Sequence, residues 1–209
     1  MERRRKMRTL PILFKTEMVQ ALLAGRKTCT RRVIKLPDKM TGRPIGKSGD
    51  SSNPLGFFYI GGIKRPPYQP GDILYVRETW GKGYEEGTYI YKADDKLADL
   101  PTFKDSTKLI YHPSIHMPKE AARIWLKVTD VMVEWLQDIT EDGAKEEGAN
   151  FKNGKNVGLE EKMRRTAIER FAEIWNSTIK KTDLDRYGWN ANPWVWVIEF
   201  ERCEKPGKE

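Results

Sequence analysis

The sequence predicts an α+β fold: a small, closed or half-closed mixed β-barrel with short flanking helices, one longer amphipathic helix and loop insertions. Three observations predict it. Alternating segments of strand length recur at hairpin-like spacing, capped apolar stripes of helical period flank them, and proline- and glycine-rich stretches fit neither period. No internal repeat is visible, and 209 residues with 38% hydrophobic content fit one elaborated domain spanning 1–209.

The first helix is expected from Thr16, which can cap it, with Glu17 in its first turn and Met18, Ala21, Leu22 and Leu23 as its apolar stripe. Gly25 supplies the positive φ of a helix end. A strand follows, with Thr28, Thr30 and Arg32 on one face and Cys29, Arg31 and Val33 on the other. In such a strand Lys27 and Thr30 converge only if Lys27 still lies in the turn or a bulge intervenes.

Residues 37–71 carry Pro37, Pro44, Pro54, Pro66, Pro67 and Pro70, and read as a long loop with one short strand at 56–60. A strand over 72–80 ends in Arg77-Glu78-Thr79-Trp80, an unusual mixture for a core strand. Thr88–Lys92 and Lys108–Tyr111 read as further strands, residues 112–118 as a proline-bounded loop, and 122–133 as a long strand. Thr140 caps a helix that Gly148 stops, and a longer amphipathic helix is expected over 159–178, with Leu159, Met163, Ala167, Phe171, Ile174 and Trp175 buried. The closing strand 194–200 is apolar on nearly both sides, as a central strand is.

Composition narrows the class. No apolar run approaches the roughly 20 residues of a membrane span, and the charged start at Glu2–Lys6 leads into no apolar signal segment, so a cytoplasmic location without membrane contact is expected. Cys29 and Cys203 are too few for a disulfide scaffold or a structural zinc site. His112 and His116 are four apart, but Pro113 breaks the helix that a metal pair would need, so no metal site is expected. No cofactor is implied either, since neither a phosphate loop nor a dinucleotide fingerprint occurs. The net charge of +8 suits a polyanionic partner.

Lys27, Thr30 and the arginines Arg26, Arg31 and Arg32 crowd one turn, which can hold an anion or attack a carbonyl. Together, Gly25-Arg26-Lys27-Thr28-Cys29-Thr30-Arg31, Pro70–Val76, Ile139-Thr140-Glu141 with Ala144 and Glu147-Gly148, and Val197–Phe200 resemble, in order and spacing, the ASCH (activating signal cointegrator homology) domain family. Arg77–Trp80 and Asn192–Trp196 are similar to segments of longer phage and prophage proteins of that family. The resemblance covers 10–36, 68–80, 122–150 and 193–203, and leaves 37–67 and 81–118 as insertions.

The resemblance implies a PUA-like barrel and a nucleobase- or nucleic-acid-recognising protein. Family members include RNA-binding modules, a ribonuclease and an amidohydrolase that deacetylates 4-acetylcytidine. That enzyme's Lys-x-x-Thr motif falls on Lys27 and Thr30, and its glutamate on Glu147. Thr30 would attack, Lys27 would be its base, and Glu147 would shuttle the proton or hold the pyrimidine edge. Lys27 and Glu147 have a plainer reading as an ion pair pinning helix to barrel.

Three partner classes remain open. A nucleoside would enter an enclosed pocket at Lys27, Thr30 and Glu147. Single-stranded nucleic acid would follow Arg26, Arg31, Arg32, Lys64-Arg65 and the Arg3–Lys6 cluster, with Glu78, Trp80, Tyr84, Tyr89 and Tyr91 beside it. A protein partner would use Pro54, Leu55 and Phe57–Ile60 within the 54–68 insertion, if these are exposed. Trp125, Trp175, Trp194 and Trp196 are expected to fill the core.

Overall fold

The computed structural model describes residues 7–37, 40–50, 53–83, 85–94, 110–149 and 166–207. In chain order the elements are β1 (Thr9–Leu13), α1 (Thr16–Leu23), β2 (Cys29–Val33), β3 (Gly42–Ile45), β4 (Gly56–Tyr59), β5 (Gly62–Lys64) and β6 (Ile73–Arg77). Then come β7 (Trp80–Lys82), β8 (Tyr89–Tyr91), β9 (Trp125–Trp135), α2 (Glu141–Glu146), α3 (Ala167–Thr178), α4 (Leu184–Tyr187) and β10 (Trp194–Cys203). The fold is α+β. The chain divides into two compact units, one drawn from Met1–Gly25, Gly71–Lys127 and Glu201–Glu209, the other from Arg26–Pro70 and Val128–Phe200.

In the first unit β1 runs parallel to β6, with Thr9 opposite Ile73, and β6 runs antiparallel to the start of β9, with Tyr75 opposite Trp125. Alternation sends Ile12, Leu74, Val76 and Leu126 to one buried face, and Ile73, Tyr75 and Trp125 to the other. The second face joins Trp80, Met117, Ala121 and Ala122 in one apolar cluster. Asp72, buried just ahead of β6, accepts from Arg8 Nε at 3.1 Å and so ties down the approach to β1. β7 and β8 form a separate two-stranded ribbon.

In the second unit β10 pairs antiparallel with β2, from Val195 opposite Val33 to Glu199 opposite Cys29. Val195, Trp196, Val197 and Ile198 are all buried, as a strand apolar on both sides requires. Phe171 and Trp175 of α3 join Val195, Val197, Leu136 and Ala144 in its core.

Several expectations need correction. The 37–71 stretch holds three strands rather than one: β3, β4 and β5 form an antiparallel sheet. Pro44 is tolerated because β3 is an edge strand, and Ile60-Gly61 makes the two-residue turn into β5, with Gly61 at φ +136°. Gly42 is required sterically, since a Cβ there would lie 2.2 Å from the Phe58 carbonyl oxygen. Because these strands and β7–β8 form sheets of their own, no closed barrel exists among the described residues.

Helix α1 is preceded by Lys15 as its N-cap, without a side-chain cap, and Thr16 is its first residue. The long helix begins at Ala167, because Thr166 and Glu169 form a reciprocal capping box; Leu159 and Met163 lie outside the described residues. β9 begins at Trp125 rather than at Ala122. Of the strand expected at 108–111, Lys108 and Leu109 are outside the described residues, and Ile110 and Tyr111 are not in a strand. Arg3–Lys6 and Tyr84 also lie outside them. No described helix is long and apolar enough to cross a membrane.

Candidate active site

β2 uses one edge for β10 and offers the other to the turn before it and to helix α2. The Thr28 carbonyl accepts from Phe200 N at 2.9 Å, and Ile34 N donates to Trp194 O at 2.9 Å, so even-numbered residues face β10. The odd-numbered backbone groups point away. There Cys29 O accepts from Lys27 Nζ at 2.8 Å, and Arg31 N donates to Glu147 Oε1.

Two local signals place these side chains. Gly25, at φ +69°, ends α1 and leaves Lys27 in the turn, before the strand begins. Thr140 caps α2 by accepting from Gly143 N at 3.0 Å. At the other end Gly148, at φ +86°, donates to Lys145 O while Ala149 N donates to Ala144 O. That pair of bonds is a Schellman ending, and it fixes Glu147 as the C-cap beside β2.

Lys27 Nζ donates to three acceptors: Cys29 O, Glu147 O at 2.9 Å and Glu147 Oε2 at 2.5 Å. An ammonium has three protons, and all are used. Glu147 Oε1 also lies 3.5 Å from Arg31 Nη1, and Arg31 Nε reaches Glu134 Oε1 at 2.7 Å. Gly143 makes room for this arginine, since a Cβ there would come within 3.3 Å of Arg31 Nη2. Lys27, Thr30, Arg31 and Glu147 are each at most 7% exposed, so a ligand reaches them only if the turn or helix yields.

Burial sets the titration of this cluster. Desolvation lowers the pKa of Lys27 from its ordinary value although Glu147 opposes it. The Cys29 thiol is pushed up to about 12, first by burial and then by Glu147. Burial pulls Arg31 down, but Glu147 and Glu134 outweigh it and the guanidinium ends above its usual value. Half-buried Arg32 is lowered by desolvation, with Tyr68 and Glu147 opposing. Arg26 is half-buried in the turn.

Of the expected site residues, Lys27, Arg31 and Glu147 are in direct contact. Thr30 sits between the two backbone groups that the pair grips, and strand alternation directs its side chain away from those of Cys29 and Arg31. Among the described residues its hydroxyl makes no hydrogen bond to Lys27 or Glu147. Glu134 carries no sequence signal for this role, since nothing in its strand context distinguishes it.

Glu78 and Trp80 belong to the first unit. Glu78, 1% exposed, takes a two-pronged contact from Arg123, Nε to Oε1 at 2.9 Å and Nη2 to Oε2 at 3.0 Å. Arg123 also reaches Asp94 at 2.7 Å and lies 3.9 Å over the Tyr91 ring. Neither Arg123 nor Asp94 carries a sequence signal for this role. Trp80 packs edge-on against Tyr89 at 5.7 Å and tilted against His112 at 5.3 Å, and among the described residues its buried Nε1 has no hydrogen-bond partner.

In the 54–68 insertion Phe57 is fully buried and packs edge-on against Trp194, whereas Phe58, Ile60 and Ile63 are exposed. Trp125, Trp175 and Trp196 are buried; Trp194 is half-buried and stacks on exposed Trp135 at 3.9 Å.

No family model, curated protein or solved structure matches the chain.

Proposed function

We propose that the chain is an ASCH-type, PUA-like protein that recognises a nucleobase, and that Lys27, Thr30 and Glu147 hydrolyse the acyl amide of a modified cytidine nucleoside. The observation that supports this reading is the buried contact between Lys27 and Glu147, which closes around the backbone on either side of Thr30. Amide hydrolysis needs a base for the attacking hydroxyl and an acid for the leaving amine. A buried lysine with a lowered pKa, hydrogen-bonded to a carboxylate, can supply both from one shared proton.

In the reactive form the proton of that hydrogen bond rests on Glu147 and Lys27 is a neutral amine. Once the turn yields and brings the Thr30 hydroxyl to Lys27, which it does not touch at rest, Lys27 takes the hydroxyl proton as Oγ1 bonds to the acyl carbon, and the carbonyl electrons move onto oxygen. The oxyanion faces the cations of the turn, where a well-aimed donor typically contributes about 10²- to 10³-fold. When the C–N bond breaks, Glu147 protonates the exocyclic nitrogen and cytidine leaves. Water then attacks the Thr30 ester, giving its proton to Glu147, while Lys27 returns a proton to Thr30 Oγ1. Both groups end as they began.

The test follows cytidine release from 4-acetylcytidine by the wild type and by Thr30→Val, a substitution close in shape that spares the ion pair. Release that falls at least about 10²-fold in Thr30→Val is expected; equal rates contradict the reading.

A second reading, a nucleic-acid reader without turnover, is favoured by the full use of the Lys27 protons. Arg26→Ala and Arg32→Ala would then each reduce the salt slope of single-strand binding by about 0.7. Slopes unchanged in both variants would remove that reading.

A further inference from the structure

We infer that a cleft of about 740 Å³ on the first unit binds an anionic ligand carrying a flat ring, the chemistry of a nucleoside phosphate, either free or at the end of a single strand. The cleft arises from the sheet register. Thr9 and Ile73 are partners in the parallel β1–β6 pair and lie on the same face as Tyr75, which stands opposite Trp125 across β6 and β9. Thr9, Ile73 and Trp125 line the cleft, with Met7 as one wall.

Two lysines converge on this floor from outside the sheet. Lys119, on the turn at Lys119–Ala121, places Nζ 5.8 Å from both the Tyr75 and the Trp125 ring centroids. Lys205, just beyond β10, places its own Nζ 5.9 Å from the Trp125 ring. Both are exposed, and among the described residues neither is in an ion pair. Glu120 is the acid that lines the cleft, and it too is exposed and pairs with neither. Two like charges over one indole, with no ion-pair partner among the described residues, mark a place where an anion is favoured.

The volume lies within the about 300–1,000 Å³ of small-molecule sites. An aromatic and aliphatic floor with cations at its rim suits a ring against the floor and a phosphate at the ammoniums. An uncharged nucleoside would leave the two lysines unanswered. This site goes beyond the proposed hydrolysis, because it involves none of Lys27, Thr30 or Glu147, and its loss leaves 4-acetylcytidine turnover unchanged.

The test is calorimetric titration of the full chain with cytidine 5′-monophosphate, with cytidine, and with a short 5′-phosphorylated oligonucleotide. The same titrations are repeated on the doubly reversed Lys119→Glu, Lys205→Glu protein and on Thr30→Val. The monophosphate is expected to bind at least about tenfold tighter than cytidine, to lose at least that factor in the double reversal, and to be unaffected in Thr30→Val. Binding of the oligonucleotide alone, with the same loss on reversal, assigns the site to a strand end. The inference is overturned if cytidine binds as well as its monophosphate, if reversal leaves binding unchanged, or if none of the three binds at millimolar concentration.

Discussion

Glu147 and Glu78 are both buried carboxylates gripped by cations, yet they are solved differently in the two units. Glu147 meets a buried lysine and a buried arginine, and its network closes the outer edge of β2 with every ammonium proton used. Glu78 meets Arg123, which is half-buried, keeps Asp94 as a second acceptor and covers the Tyr91 ring. Water can replace part of what Glu78 provides. Nothing can replace Glu147 without leaving a buried ammonium and a buried strand amide unanswered.

The largest expected effect follows from that contrast. Glu147→Leu should destabilise the fold by about 3–5 kcal/mol, as breaking a buried pair does, and adding Lys27→Met should recover most of the loss. Glu78→Leu should lose less, about 1–3 kcal/mol, because Arg123 keeps water and Asp94. Urea unfolding of the three proteins checks the order. Equal losses for the two single substitutions would break the comparison.

Gly148→Ala sharpens it at one remove. It forces a Cβ onto a residue at φ +86° and should weaken the Schellman ending that presents Glu147, at about 1 kcal/mol in the same unfolding measurement. A neutral result would mean that Glu147 is held by its ion pair alone.

The two networks should also respond oppositely to pH. Burial lowers Lys27, so its contribution to folding is full above the ordinary lysine value of 10.5 and is lost as pH falls through the lowered folded-state pKa. Lys27→Met should therefore flatten a rise in stability over that interval. Burial raises Glu78, so its contribution is full below the ordinary value of 4.5 and is lost as pH rises through the raised folded-state pKa. Glu78→Gln should flatten that fall.

The smallest effect concerns thiols. Cys29, buried and pushed up to about 12, should resist a thiol reagent until the protein unfolds, while half-buried Cys203 is modified slowly in the native state. Modification of Cys29 at the rate of Cys203 would show that the β2 edge opens readily.

Sequence patterns recover elements whose signals are local. Gly25, Thr140 and Gly148 mark turns and caps that are found where expected, and the doubly apolar run at 195–198 forms a buried strand. Long-range pairing is where sequence reading stops. β3 and β5 look like loop because Pro44 and the glycines Gly42 and Gly62 dominate them, and only their pairing with β4 on either side makes a sheet. The same limit hides the lack of a closed barrel among the described residues, since strand alternation does not say which strands share a sheet.

At the site, the Lys27–Glu147 contact was legible through the ordered motifs, but the role of the carboxylate at the Arg31 backbone amide was not. It depends on which edge of β2 is free, a fact of topology. Arg123 and Asp94 were invisible for a related reason: each becomes meaningful only beside Glu78, 45 and 16 positions away in sequence.

The proposed reaction passes through an ester on Thr30, and that ester is its most direct test. Wild-type protein quenched in acid during turnover of 4-acetylcytidine, then digested and mapped by mass spectrometry, should carry one acetyl group on Thr30, and Thr30→Val should carry none. Turnover without acetyl on Thr30 would contradict the account.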